Sequence, residues 1–135
     1  MATFLFKTEP SDYSFADLER DGHVVWEGVS NATALIHLRN VKQGDTVAIY
    51  HTGNEKAVVG IAVVARGAYA DPKFDDPRRV VVDLKPKAPL AHPVALATFR
   101  ADAVLATTEL VRISRLSVMP ITAAHLARVL ALAKG

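Results

Sequence analysis

The stretch TVAIYHTGNEKAVVGIAVVARGAY, residues 46 to 69, carries the strongest fold signal in the chain. Its two ends, TVAIYHT and AVVGIAVVARGAY, are rich in β-branched and aromatic residues, which are typical of strands. The intervening GNEK has the composition of a hairpin connection. A further run of strand formers, RRVVVDLKP, follows from Arg78 to Pro86. We therefore expect a strongly twisted antiparallel unit that closes, or nearly closes, into a barrel and so removes its free edges.

Helices are predicted on both sides of this unit, each after a side chain that can cap it. Ser14 precedes FADLER and Gly22 ends that segment, Ser30 and Asn31 precede ATALIHLRN, and Thr122 precedes AAHLARVLALAK. VALATFRAD, residues 94 to 102, predicts one more short helix. The layout is therefore α+β, with strands and helices around one small core.

Two further strands are predicted outside the central unit. Thr3 to Phe6 is an apolar run that predicts a strand in the middle of the sheet, and RISRLSVMP, residues 112 to 120, predicts a strand late in the chain. The proline-containing stretches Pro72 to Pro77 and Pro86 to Pro93 predict loops or strand ends.

Length and composition indicate one globular domain over residues 1 to 135. Half of the residues are hydrophobic and 22% are charged, which is enough apolar surface to offset the chain entropy. The formal net charge of +2 slightly favours anionic partners, although acidic and basic residues are interleaved. The chain has no cysteine and no apolar run long enough for a signal peptide or a membrane span, so we expect a soluble, cytoplasmic protein without membrane association.

Common catalytic and cofactor motifs are absent from the sequence. There is no P-loop, no GxGxxG fingerprint and no GxSxG nucleophile elbow. The five histidines are scattered singly, whereas metal ligands cluster, so we predict neither a metal site nor a cofactor.

The only tryptophan lies in VVWEGVSN, residues 24 to 31. Trp26 is either a core residue before a helix cap or a flat apolar face for a planar ligand. For the second alternative, Gly28 lets the backbone approach the ligand and Asn31 offers both a donor and an acceptor. A stacked heteroaromatic base gains about 1–3 kcal/mol, and its edge is then recognised by a few placed hydrogen bonds.

Two other segments place polar side chains near strand ends. Tyr50 and His51 are neighbours on a predicted strand and so face opposite sides of the sheet. Arg115 and Ser117 are two apart and would share one side of the late strand, with Leu116 on the other. Arg115 is either a solvated charge or a fork for a phosphate or a carboxylate, including that of Glu9.

Several separated segments, in order and over nearly the whole chain, resemble the EVE domain family. The segments are FLFKTEP, YSFADLERDG, VWEGVSN, VKQGDTVAIYHT, VVGIAVV, YADP and RLSVMPIT. The resemblance implies a PUA-like fold, a small β-barrel of five or six mostly antiparallel strands flanked by helices, related to YTH and ASCH domains. It also implies binding of a nucleobase, such as methylated or hydroxymethylated cytosine in DNA or a modified base in RNA.

The resemblance further implies a pocket between strand ends and a loop that bears the tryptophan. Its lining would be Lys7, Thr8, Glu9, Trp26, Gly28, Val29, Ser30, Asn31, Tyr50, His51, Thr52, Arg115, Leu116 and Ser117. Lys7 and Arg115 would face backbone phosphate or a carbonyl edge, and Glu9 would accept from an exocyclic amine. The base would be offered on a single strand or taken out of a duplex, which costs a few kcal/mol.

The chain departs from the family pattern GVRNYQARN near the pocket mouth. Polar and aromatic family residues are replaced by Ser30, Ala32, Thr33, Leu35 and Ile36, and Ile113 stands where a polar residue is usual. Aromatic and cationic contacts of the family are thereby lost, and the surface becomes more apolar.

Three functions are compatible with these residues. The first is a non-catalytic nucleic-acid-binding domain, a monomer or weak dimer, in which Trp26→Ala abolishes base-dependent binding and leaves the fold largely intact. The second is an enzyme on a nucleotide or small anion, with Glu9 or His51 as acid or base. The third is a protein-interaction domain with a vestigial pocket, motivated by the apolar Leu35, Ile36 and Ile113.

Overall fold

The computed structural model describes all residues from Met1 to Gly135. It contains six strands, five α-helices and the short 3₁₀ helix Leu105–Thr107. The strands are β1 (Thr3–Thr8), β2 (Val24–Trp26), β3 (Thr46–His51), β4 (Ala57–Ala70), β5 (Val80–Ala95) and β6 (Val118–Ile121). The helices are α1 (Phe15–Asp21), α2 (Ala32–Arg39), α3 (Leu96–Ala101), α4 (Glu109–Arg112) and α5 (Ala123–Leu132). None of these helices has the length and hydropathy needed to cross a membrane. The α+β class is as predicted.

The strands form one sheet in the order β2-β5-β4-β3-β1-β6. Neighbouring strands are antiparallel except β1 and β3, which run parallel from the pair Thr3 and Thr46 to the pair Thr8 and His51. The predicted hairpin is β3-β4, and β1 lies inside the sheet because it pairs on both sides. The carboxyl ends of β1 and β3 therefore lie side by side.

Irregular pairing bends this sheet toward a barrel. The ladder between β4 and β5 shifts register at four places, and β-bulges of this kind increase local twist. The bend carries β2, at one end of the strand order, across to β1, so that the rings of Phe6 and Trp26 lie 5.6 Å apart between centroids. No hydrogen-bonded ladder joins β2 to β6, so the sheet is barrel-like but not closed. Hydrophobic packing between β1 and β2 takes the place of the hydrogen-bonded ladder that would close the barrel.

Strand β5 is longer than the sequence predicts. It continues through Pro86, Pro89 and Pro93, where loops or strand ends were expected. Proline removes a ladder donor and is tolerated at bulges and on free strand sides. Here β5 is paired with β2 only from Val82 to Leu84, so its later part has one free side, and two of the four register shifts fall in that later part.

Helices α1, α2 and α5 begin at the capping residues that the sequence predicts. Ser14 and Asp17 form a reciprocal capping box on α1, Asn31 caps α2 and Thr122 caps α5. Leu35 and Leu38 of α2 are buried in the core. Leu35 therefore does not contribute to an exposed apolar patch, although Ile36 and Ile113 do remain exposed.

The predicted strand from 112 to 120 is wrong in its first half. Residues 109 to 112 form α4, a turn follows in which the Leu116 N–H donates to the Ile113 carbonyl at 3.2 Å, and β6 begins only at Val118. Strand β6 begins where the chain reaches β1, with Val118 opposite Phe6. Arg115 and Ser117 therefore do not share one side of a strand.

Candidate functional site

A cavity of about 470 Å³ lies between the two edges of the bent sheet. Small-molecule sites in proteins typically measure about 300–1,000 Å³, so a planar ligand of nucleobase size fits this space. Its walls come from the end of β1, the β1-α1 connection, β2, the β2-α2 connection and the residue before β6. The lining residues are Lys7, Thr8, Asp12, Tyr13, Val24, Val25, Trp26, Glu27, Gly28, Val29, Ser30, Asn31 and Ser117.

Trp26 combines the two roles that the sequence left open. It is the last residue of β2, not a loop residue as predicted, and only 8% of it is exposed. Its ring is tilted by 45° against the ring of Phe6, which is fully buried. The indole is therefore a core residue, and the part of it that is not covered by the core forms a wall of the cavity.

The connection from β2 to α2 supplies unpaired polar groups to the cavity. Asn31 accepts a hydrogen bond from the Ala34 N–H through Oδ1 at 3.0 Å, which leaves its Nδ2 donors without a partner in the protein. The side-chain hydroxyls of Ser30 and Ser117 are also free of hydrogen bonds within the chain. Gly28 has φ +81°, a conformation that favours glycine, and an added Cβ there would meet open space. This segment can therefore place donors and acceptors around a ligand.

The end of β1 contributes the only cation among the lining residues. Lys7 Nζ donates to the Ser114 carbonyl at 2.7 Å and lies 5.8 Å from the centre of the Tyr50 ring. Partial burial lowers the pKa of Lys7, because a charged amine loses hydration there. Thr8 donates from Oγ1 to the Tyr13 carbonyl at 2.7 Å and thereby anchors the next wall.

Sequence reasoning missed five lining residues, namely Asp12, Tyr13, Val24, Val25 and Glu27. The three on or after β2 were missed because a strand of three residues leaves little periodic signal. Tyr13 is brought to the cavity by a turn in which its N–H and that of Asp12 both donate to the Glu9 carbonyl at 2.9 Å. No local pattern predicts that placement.

The Tyr13 and Glu27 side chains are held by partners outside the cavity. The Tyr13 hydroxyl donates to Asp21 at 2.9 Å, and burial, followed by this carboxylate, raises the pKa of Tyr13 to about 12. Glu27 forms an ion pair with Lys73 at 2.9 Å. Both residues therefore have fixed positions at the rim.

Glu9 and Thr52, predicted for the pocket, do not line the cavity. Glu9 accepts from the Ser11 N–H at 3.3 Å, from the Ser11 hydroxyl at 3.0 Å and from the Thr52 hydroxyl at 3.2 Å. The Ser11 hydrogen bonds, backbone first, lower the pKa of Glu9. The carboxylate thus closes a turn instead of facing a ligand.

Tyr50 and His51 are also structural. Tyr50 is 3% exposed and belongs to the core. His51 Nε2 accepts from the Phe15 N–H at 3.0 Å, so its Nδ1 carries the proton and donates to Glu55 at 2.6 Å. Both ring nitrogens are satisfied within the protein, which leaves no atom for a ligand.

Two of the three residues predicted from Arg115 to Ser117 do not line the cavity. Arg115 is exposed and forms no ion pair with Glu9 or with any other carboxylate, and Leu116 is buried in the core at 3% exposure. Only Ser117 reaches the cavity, and its carbonyl accepts from the Lys7 N–H at 2.9 Å. No group of three or more His, Cys, Asp or Glu side chains is placed to hold a metal ion.

Solved structures of high similarity span organisms from bacteria to human. A Rhodopseudomonas palustris protein determined by NMR is 38% identical, with a TM-score of 0.94, and covers 99% of this chain and 94% of its own. An Agrobacterium tumefaciens protein is 29% identical, with a TM-score of 0.93 and coverage of 98% and 93%. Human THYN1, crystallised with DNA containing 5-methylcytosine, is 23% identical, with a TM-score of 0.91 and coverage of 100% and 99%.

No curated protein sequence matches the chain. The model of the EVE domain, in contrast, matches residues 2–132, which includes every strand and helix that forms the cavity. This match and the bacterial structure that is 38% identical both span the segments that carry the resemblance. The chain is a member of the EVE domain family, with its PUA-like fold.

Proposed function

We propose that this protein binds a modified nucleobase of a DNA strand in the cavity beside Trp26, without catalysing a reaction on it. The observation that carries the proposal is the combination of one partly uncovered indole with unpaired hydrogen-bonding groups around one cavity. Flat heterocycles require that combination, because their faces are apolar and their edges are polar.

The lining offers each part of a base a suitable partner. The uncovered part of Trp26 can stack against the ring, which contributes about 1–3 kcal/mol. Asn31 Nδ2 and the hydroxyls of Ser30 and Ser117 can pair with the Watson–Crick edge. Val24, Val25 and Val29 provide apolar surface for a methyl group. A methylated cytosine uses all three kinds of contact.

Similarity to known proteins supports DNA as the carrier of the base. Human THYN1 has the same fold and was crystallised with DNA that contains 5-methylcytosine. A base inside a duplex cannot enter a cavity bounded by β1 and β2, so it has to be unstacked first, at a cost of a few kcal/mol. Single-stranded DNA avoids this cost and should bind more tightly than duplex.

The positions of the two candidate acid-base residues support binding without catalysis. Glu9 and His51 lie outside the cavity lining, and each is engaged by hydrogen bonds within the protein. A general acid or base has to come within hydrogen-bond reach of the reacting group. Neither residue meets that condition for a ligand beside Trp26.

A binding panel tests the proposal directly. Single-stranded and duplex oligonucleotides with cytosine, 5-methylcytosine and 5-hydroxymethylcytosine, each made as DNA and as RNA, are titrated against wild type and Trp26→Leu. Leucine keeps an apolar side chain in the core but removes the aromatic plane. We expect a preference for a modified base in wild type, reduced in Trp26→Leu. Equal affinity of wild type for all bases would contradict the proposal.

A further inference from the structure

A second cavity of about 460 Å³ adjoins the first and is lined by arginines. It lies between α2 and the connection from β4 to β5, and its charged residues are Arg39, Arg78, Arg79 and Asp76. Ser30 lines both cavities, so the two are neighbours across the start of α2. We call the second cavity the arginine groove.

Two of the three arginines in this groove have no acidic partner. Arg78 pairs with Asp76 at 3.0 Å. Arg39 donates from Nη1 to the Arg78 carbonyl at 2.9 Å and forms no ion pair. Arg79 also forms no ion pair, and its guanidinium lies 3.7 Å from the centre of the Phe74 ring. The groove therefore retains positive charge that the protein itself does not neutralise.

The two cavities differ in charge in a way that suits the two parts of a nucleotide. The first has one cation, Lys7, beside the carboxylates of Asp12 and Glu27. The groove has three guanidinium groups beside one carboxylate. In nucleic-acid complexes, phosphate contacts supply position and affinity, whereas base contacts supply specificity.

Arginine is the side chain best suited to a phosphodiester. Its planar fork matches two phosphate oxygens, and it is weakly hydrated compared with lysine. Arg79 loses less freedom on binding than a free arginine would, because its guanidinium already packs on Phe74.

We infer that the arginine groove binds the phosphodiester backbone of the same strand whose base occupies the cavity beside Trp26. The inference rests on the proposed function and assigns the phosphate contacts to Arg39 and Arg79. Arg115, which the resemblance suggested for phosphate, lines neither cavity.

The test is the salt dependence of binding for the double variant Arg39→Gln/Arg79→Gln. For single strands the slope of log K against log salt is about −0.7 for each phosphate neutralised, so loss of two contacts should make it shallower by about 1.4. The matched control is Arg66→Gln/Arg100→Gln, which removes the same charge outside both cavities and also includes one arginine that packs on an aromatic ring. The control should keep the wild-type slope.

A second variant moves the slope in the opposite direction. Asp76→Asn keeps the oxygen that accepts from the Arg78 N–H at 2.9 Å but removes the negative charge. Arg78 then becomes available to a phosphate, so the slope should become steeper by about 0.7. This result cannot come from a damaged fold. If neither variant changes the slope relative to the control, the inference is wrong.

The oligonucleotides separate this inference from the proposed function. Each protein is titrated with strands that carry 5-methylcytosine, cytosine or an abasic site. If wild type binds all three equally and the double variant still loses slope, the groove inference stands and the base proposal fails. If wild type prefers the methylated base and the double variant keeps the control slope, the base proposal stands and the groove inference fails. DNA and RNA strands share the phosphodiester, so the double variant should make the salt dependence of binding shallower by the same amount for both.

Discussion

The ends of the parallel neighbours β1 and β3 carry similar polar residues but differ in what those residues contact. Lys7 and Thr8 of β1 line the cavity together with groups that lack partners, although each of the two donates to a carbonyl of the chain itself. Tyr50 and His51 lie directly opposite them on β3, yet Tyr50 is in the core and His51 is bonded to Phe15 and Glu55. A binding site is therefore marked by polar groups that the protein leaves unsatisfied, and proximity in the sheet is not sufficient.

The largest effect is expected at Trp26, where the core and the cavity meet. Trp26→Ala should lower the free energy of unfolding by about 3–5 kcal/mol, because a buried aromatic side chain is lost, and it should abolish base-dependent binding. Denaturant unfolding measures the first effect. The expectation from sequence that alanine leaves the fold largely intact is revised accordingly. An unfolding free energy equal to that of wild type would contradict the burial of the ring.

His51 should affect stability without affecting recognition. His51→Ala leaves the buried Phe15 N–H without an acceptor, which should cost about 1–3 kcal/mol of stability. The ratio of affinities for methylated and unmodified strands should stay at the wild-type value. Glu55→Gln is the control, since it keeps an acceptor for Nδ1. A lost ratio with intact stability would place His51 in the site after all.

Asn31 should affect recognition of the base with little effect on stability. Asn31→Asp keeps the oxygen that caps α2, so stability should change by less than about 0.5 kcal/mol. It replaces the free Nδ2 donors by an acceptor, and affinity for the modified base should fall about tenfold, or about 1.4 kcal/mol. Isothermal titration calorimetry on Asn31→Asp and on the cap-deleting Asn31→Ala separates the two roles. Unchanged affinity in both variants would exclude Asn31 from recognition.

Tyr13 gives the smallest effect, and it appears only in alkali. Burial, together with the hydrogen bond to Asp21, raises the pKa of Tyr13 from 10.0 to about 12. The folded state then holds a proton that the unfolded chain releases, so this contribution to stability is complete below about pH 10 and is lost as the pH rises to about 12. Chemical denaturation across this interval should show a smaller loss for Tyr13→Phe than for wild type. Equal losses would contradict the raised pKa.

Local features of the fold could be predicted from the sequence because a few neighbouring residues determine them. The capping residues Ser14, Asn31 and Thr122 were identified, since a cap bonds to an N–H only three residues away. Strand bounds were less certain, because a strand exists only where it has a partner. The three-residue β2 was missed for that reason, and β5 runs through its prolines because β4 pairs with it there.

The candidate site could likewise be predicted only in part from the sequence. The resemblance brought Lys7, Trp26 and Asn31 to attention, and the structure places all three on one cavity. It could not separate them from Glu9 and His51, because hydrogen bonds to Ser11 and Phe15 depend on how the β1-α1 connection folds. The arginine groove was also invisible, since Arg39 and Arg79 are far apart in the chain.

The sequence by itself determined the α+β class, the helix starts and the family, because these follow from short-range periodicity, capping and ordered motifs. Only the tertiary structure decided which polar residues are free to bind. That choice depends on the bend of the sheet, which brings β2 toward β1, leaves a cavity between them and uses the remaining polar groups for hydrogen bonds within the protein.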